Sequence, residues 1–170
     1  MRVPENNSLK AEIEEILKLC KESEEEYGDK ASYFNEPVSE QEMTEWEEAN
    51  GVKIPESYKE WLRFTGKCEI VSNTATFWGP KEFNSDYVPE DLVVIGEMIG
   101  DGEMVCFSKE SGEFVRFFEG HENGTYKVFN DVLKVIIRTK KVDGGLSDDA
   151  KILFMKLVLE NRKKKDGENE

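Results

Sequence analysis

Few residues in this chain have the chemistry of a catalyst. The only histidine is His121, in Glu119-Gly120-His121-Glu122-Asn123-Gly124, and the three cysteines, Cys20, Cys68 and Cys106, are widely spaced. A metal centre wants several such ligands, commonly at CxxC-type spacing, and no CxxC occurs. A Cys106–His121 nucleophile pair would need an elbow, a helix start or a third orienting group, and the sequence offers none. Asp101 and Glu103 flank a turn and have the types of an acid–base pair. Such a pair also needs a pocket that drives the two pKa values apart. Residues two apart in a strand share a face, but Asp101 lies in the turn itself. There is no phosphate loop, dinucleotide fingerprint, zinc-protease helix or Gly-x-Ser-x-Gly elbow. The residues therefore point to no catalytic, metal or cofactor site and to no enzyme. Each cysteine sits among apolar neighbours, as in Met104-Val105-Cys106-Phe107. They read as small buried hydrophobes whose free thiols suit a reducing cytoplasm.

What remains is the chemistry of binding. The 170 residues include 23 basic and 37 acidic ones, a formal net charge of -14. That balance disfavours direct nucleic-acid binding, which needs a basic surface. It favours a basic partner or simple solubility. Hydrophobic residues make up 38%, but ten Phe, five Tyr and three Trp still provide a core, so full disorder is not expected. No apolar run reaches the ~20 residues of a membrane span. The first residues, MRVPENNSLKAEIEE, lack an apolar signal core, so export by that route is not expected.

The elements that must position a binding surface can be read from periodicity. Leu9, Ile13, Ile16, Leu17 and Cys20 recur at helical spacing, with Ser8 as N-cap and Tyr27-Gly28-Asp29 as the stop. Val38-Ser39-Glu40-Gln41-Glu42-Met43 is a helix start with a capping box and a hydrophobic staple. That helix carries Met43, Trp46 and Ala49 inward and ends at Gly51. Pro55 takes the first position of the next helix, whose inner face is Tyr58, Trp61, Leu62 and Thr65, with Gly66 as its end. From Lys67 the period becomes two: strands are expected at 68–72, 74–78, 92–97, 103–108 and 113–118, with 81–91 and 119–125 as loops. Phe129, Val132, Leu133, Ile136 and Ile137 give a helix that packs on the sheet. Val142–Gly145 reads as a linker, and 147–160 as a last helix, apolar on nearly all sides, that is buried or meets a partner.

Two places stand out as interaction faces. Trp78, Phe83 and Tyr87 are large for a surface loop, and Asp86, Glu90 and Asp91 add charge beside them. Trp and Tyr are preferred interface anchors. The second place is the set of turns carrying Asp101, Glu103, Glu119, His121 and Glu122. The competing readings are aromatic residues capping the sheet as core, and turns made of solvated charge.

The run Met43-x-x-Trp46-Glu47-x-x-x-Gly51-Val52-x-Ile54-Pro55-x-x-Tyr58-x-x-Trp61-Leu62 resembles the entry motif of the SUKH superfamily. That superfamily includes the yeast killer-toxin-resistance and cell-wall-synthesis regulators and many bacterial immunity proteins. Later segments agree in order: the strand Leu92–Ile95, then Ile99-Gly100-Asp101-Gly102, similar to the family's "GD" turn, then the strand Met104–Phe107. Phe129-Asn130-Asp131-Val132-Leu133 resembles its closing helix. The resemblance runs from Val38 to Ile137. Thr65-Gly66-Lys67 departs from the family's common Asn-Gly-Gly, which puts the subfamily in question. Gly51, Ile54, Pro55, Tyr58, Trp61 and Leu62 are its structural motif residues.

The resemblance implies an α+β fold, a twisted and mainly antiparallel sheet with N- and C-terminal helices packed against it. Residues 1–37 form the N-terminal helix and connector, 38–138 the core, 139–160 an added C-terminal helix and 161–170 a charged tail, all in one globular domain. It further implies a non-catalytic, cytoplasmic immunity protein that binds and neutralises a cognate toxin domain, often a nuclease, in the producing cell. The partner would be a basic toxin domain, without cofactor, nucleic acid or membrane. The alternative is a regulatory interaction scaffold of the same fold. The apolar last helix leaves a homodimer open.

Overall fold

The helix pair forms where its local signals place it. In the computed structural model, which describes residues 3–28, 32–71, 74–98 and 102–145, Ser39 caps helix α2 (Glu40–Asn50). Its hydroxyl accepts from the Glu42 N–H at 3.2 Å, and the Glu42 carboxylate accepts from the Ser39 N–H at 3.1 Å. Gly51 ends α2 in the left-handed region at φ 64, donating its N–H to the Glu47 carbonyl. Only residues without a Cβ adopt that conformation cheaply. Helix α3 (Glu56–Leu62) follows, with Pro55 as its cap rather than its first helical residue. It stops at Leu62, before the expected Gly66.

The inner face of α2 differs from the expectation in one residue. Ala49 is exposed, while Glu47 is buried beside Met43 and the half-buried Trp46. The Glu47 carboxylate accepts from the Ile54 N–H at 2.8 Å, from Lys59 Nζ at 2.8 Å and from Lys53 Nζ at 3.2 Å. A buried charge is tolerated when it is paired and hydrogen-bonded. Here it clamps the Gly51–Pro55 corner to the start of α3.

The sheet has seven strands in sequential order, every neighbouring pair antiparallel. They are β1 (Tyr33–Phe34), β2 (Cys68–Ile70), β3 (Ala75–Phe77), β4 (Leu92–Met98), β5 (Glu103–Ser108), β6 (Phe114–Phe118) and β7 (His121–Tyr126). Two of them correct the sequence reading. The connector holds β1, two residues that exist as a strand through pairing with Cys68 and Glu69. The supposed loop 119–125 supplies β7, which pairs with β6. Its exposed, polar sequence lacks the alternation that announces a strand. A bulge between Val94 and Gly96 shifts the β4–β5 register. A side chain at Gly96 would run into the Thr76 carbonyl and Phe77.

Helices cover one face of the sheet. Helix α1 (Lys10–Tyr27) buries Leu9, Ile13, Ile16 and Cys20. Its start is covered by Asn7 rather than Ser8: Asn7 Oδ1 accepts from the Leu9 N–H at 2.8 Å while Asn7 Nδ2 donates to the Glu60 carbonyl at 2.7 Å. The N-cap position itself is Leu9, without a side-chain cap hydrogen bond, and the contact to α3 fixes the approach to it. Helix α4 (Phe129–Gly145) buries Phe129, Val132, Leu133 and Ile136. It begins where Ser57 Oγ accepts the Phe129 N–H at 3.0 Å, and it runs through the expected linker to Gly145. These helices meet Cys68, Ile70, Ala75, Phe77, Val93, Ile95, Val105, Phe107 and Phe114 in one core. Strand alternation puts Leu92, Val94, Cys106, Val115 and Phe117 in a second cluster on the other face. The chain divides into two compact units, Met1–Ile137 and Arg138–Glu170. The expected last helix and charged tail lie outside the described residues.

Tyr58 sits at the centre of the core, fully buried. Its ring meets Phe129 edge-on at 4.7 Å, and its hydroxyl donates to the Trp78 carbonyl at 2.7 Å, with the Ile95 carbonyl at 3.2 Å. Tyr58→Phe keeps the packing and strands the Trp78 carbonyl. It is expected to cost about 1–2 kcal/mol, read as a lower urea midpoint at unchanged m-value.

Burial pushes the Glu47 carboxyl up, but Lys59, the Ile54 N–H and Lys53 outweigh it and hold it below its ordinary 4.5. A depressed folded value stabilises above the unfolded value and stops doing so as pH falls through the folded one. Glu47→Gln should therefore cost about 2–4 kcal/mol at neutral pH, because Lys59 loses its counter-charge. The gap to the parent should narrow once the pH drops below 4.5. Urea unfolding across that range checks this, and a pH-independent gap would rule out the charge as the cause.

Candidate protein-binding surface

The loop between β3 and β4 does not present its aromatic residues as one patch. Phe83 is half-buried in the helix-side core, 5.1 Å from the Trp46 ring and 6.2 Å from Phe107. It is a packing residue. Trp78 is half-buried too, and packs against the second cluster on the other face. Tyr87 alone stands out, 91% exposed and at φ 63. Asp86, Glu90 and Asp91 are exposed around it. The far end of this loop is held to the β5–β6 turn, because Lys109 donates its N–H to the Asp91 carbonyl at 2.8 Å and its Nζ to the Glu90 carbonyl at 2.6 Å.

The second set of residues is dispersed. Asp101 lies outside the described residues. Glu103 is buried at 3% exposure. Its carboxylate accepts from Asn123 Nδ2 at 2.6 Å and faces Arg116 Nη1 at 3.5 Å. It joins β5, β6 and β7 and is not offered to a partner. Glu119, His121 and Glu122 are exposed at the β6–β7 turn and on the edge strand. The register separates the two sets. Leu92 faces Ser108 and Phe107 faces Phe114 at one end of the strands. Met98 faces Glu103 and Phe118 faces His121 at the other. The Asp86–Asp91 loop and the His121 turn are therefore at opposite ends of the sheet.

Cys106 lies opposite Val115, and His121 opposite Phe118, so they form no pair. All three cysteines are free and buried. Burial pushes the Cys68 and Cys106 thiols up to about 12, which keeps them protonated and inert. The motif residues Ile54, Tyr58, Trp61 and Leu62 are all core.

A concavity among the described residues has no counterpart in the sequence reading. It holds about 850 Å³ and is walled by residues 34–38, by Glu42, Glu45 and Trp46 of α2, by Gly66-Lys67 and by 79–82. Phe34, Pro37, Val38, Trp46 and Pro80 give it apolar walls. Its inner segments touch backbone to backbone. A Cβ on Gly79 would lie 2.8 Å from the Gly66 carbonyl, and one on Gly66 3.0 Å from the Glu36 carbonyl. The Gly66 N–H donates to that Glu36 carbonyl at 2.9 Å. Both lysines of the cleft are paired, Lys81 with Glu42 at 2.8 Å and Lys67 with Glu82 at 3.1 Å. Lys81, with Ser39 behind it, holds the Glu42 carboxyl down to about 2.

Tyr87 has no packing to lose and a backbone that costs free energy for any residue with a Cβ. Tyr87→Gly is expected to leave stability unchanged or raise it by up to about 1 kcal/mol. Thermal unfolding checks this. A clear loss would mean that the ring packs in solution.

Helices on one face of a meandering sheet, a motif whose Ile54, Tyr58, Trp61 and Leu62 are core, and a cleft of apolar walls and acidic side chains are the features to be matched. No curated protein matches the chain. The description of the SMI1 / KNR4 family (SUKH-1) matches residues 37–137, the segment that carries α2, α3, the sheet from β2 to β7 and the buried face of α4. The chain belongs to the SMI1 / KNR4 family (SUKH-1).

Proposed function

We propose that this chain is a bacterial immunity protein. It binds the toxin domain made by the same cell, often a nuclease, and keeps it from its substrate in the cytoplasm. The observation that carries the reading is membership of the SMI1 / KNR4 family across 37–137, which supports a binding role of immunity or regulator type. The buried free thiols suit a reducing compartment.

The charge supports the toxin's chemistry. A nuclease must hold phosphate, so its cleft is basic. A chain at -14 presents the opposite sign. Complementary fields raise association rates towards about 10⁸–10⁹ M⁻¹s⁻¹ at low salt. An antidote has to reach its toxin before the toxin reaches its substrate, so a fast on-rate is the property that matters.

The test is co-expression with the toxin-type proteins encoded beside this gene, followed by stopped-flow association with the one that is neutralised. Growth should be rescued by the parent chain, and the on-rate should fall about tenfold or more between low and high salt. No rescue from any neighbouring toxin overturns the reading. Several weak partners and no rescue would favour the regulatory scaffold.

A further inference from the structure

The cleft between α2 and the segments 34–38 and 79–82 has a charge that selects its occupant. Lys67 and Lys81 are both committed to carboxylates. An anion such as phosphate would have to break those pairs. Glu36 and Glu45 also line the cleft, and neither is paired with a cation among the described residues; Glu45 accepts only from the neutral Gln41 amide, at 2.7 Å. The cleft therefore carries two uncompensated negative charges over apolar walls. The wall at Trp46 is rigid. Its ring is backed edge-on by Phe83 at 5.1 Å and by Phe107 at 6.4 Å. A cation with an aliphatic stem suits such a surface, because the stem lies on the aromatic and apolar walls while the charge meets the carboxylates.

We propose that this cleft receives an extended segment of the protein partner in which a Lys or Arg is flanked by apolar side chains, the cation held by Glu36 and Glu45 and the apolar groups seated against Phe34, Val38 and Trp46. About 850 Å³ is within the ~300–1,000 Å³ range of sites that enclose a ligand, and more than one side chain fits. The inference rests on the reading of the chain as a protein binder and names the part that grips.

The test uses the full chain, isotopically labelled, and two probes: acetyl-Val-Arg-Val-Arg-Val-amide and its Glu-for-Arg counterpart. Amide resonances of Val38, Trp46 and Gly66 and the Trp46 indole should move with the Arg peptide at about 1 mM and stay still with the Glu peptide. The buried Trp61 indole serves as the internal reference. The exposed double variant E36K/E45K should keep the parent's other resonances and lose about tenfold in Arg-peptide affinity. Shifts centred on Asp86–Asp91 or on β7, equal response to both peptides, or no shift at 5-fold higher concentration would each overturn the proposal. The neutralised toxin separates this result from the function itself. A toxin bound equally by the parent and by E36K/E45K removes the cleft and leaves the immunity reading standing. Peptide shifts at the cleft with no toxin neutralised do the reverse.

Discussion

The buried carboxylate of Glu47 fixes the geometry on which the remaining contacts rest. It collects the Ile54 N–H and Lys53 from the corner and Lys59 from α3. With that corner closed, α2 and α3 cannot swing independently. Tyr58 and Trp61 then enter the core from α3, and Trp46 stands on α2 with Phe83 and Phe107 behind it. The Tyr58 hydroxyl carries the constraint on to the sheet through the Trp78 and Ile95 carbonyls. A hydrophobic contact alone would fix distance but not rotation. The carboxylate, with defined donors at both oxygens, fixes both.

The acidic surplus is managed by placing the cations where they tie elements together. Arg63 meets Glu40 of α2 at 2.6 Å and Glu56 and Glu60 of α3 at 2.7 and 2.6 Å. One guanidinium so relieves the repulsion among three carboxylates, and they in turn push its pKa further up. Isolated exposed pairs are worth little, and those along α1, such as Lys18–Glu22 and Lys21–Glu25, belong to that class. Arg63 differs because it bridges two helices already held by Glu47.

Much of this was legible in the sequence where the signal is local. The capping box at Ser39, the left-handed Gly51 and the apolar stripes of α1 and α4 depend on residues within a few positions, and all are realised. The failures share the opposite property. The sequence leaves Phe83 open between an interface anchor and a core cap, because a loop sequence does not say which way its aromatic points; Trp46 and Phe107, distant in the chain, decide that. Ser8 does not cap α1: the N-cap position falls on Leu9 with no side-chain cap hydrogen bond, and Asn7, held by the Glu60 carbonyl of α3, takes the Leu9 N–H. Strands β1 and β7 are edge strands, hydrogen-bonded to one neighbour, and each sends a single ring, Phe34 or Tyr126, onto the core, too little for an alternating apolar pattern. The cleft is not legible because the stretch 34–46 meets 66–67 and 79–82 only in the fold, through the close backbone approach at Gly66 and Gly79 and the Lys81–Glu42 and Lys67–Glu82 pairs.

Steering and holding make different demands on a surface. Exposed carboxylates set the long-range field and so govern how fast a basic partner arrives. They hold it weakly, since each remains solvated and screened. Residence time needs desolvated contact with groups already in place, so that little freedom is lost on binding. Glu103, tied to Arg116 and Asn123, and Glu47 are spent inside and can do neither. The exposed Asp86, Glu90 and Asp91 can attract but have only Tyr87 beside them to grip with, on a backbone that is itself strained. The cleft combines unpaired carboxylates with an aromatic wall braced from behind. Among the described residues, that is the place where the two demands coincide.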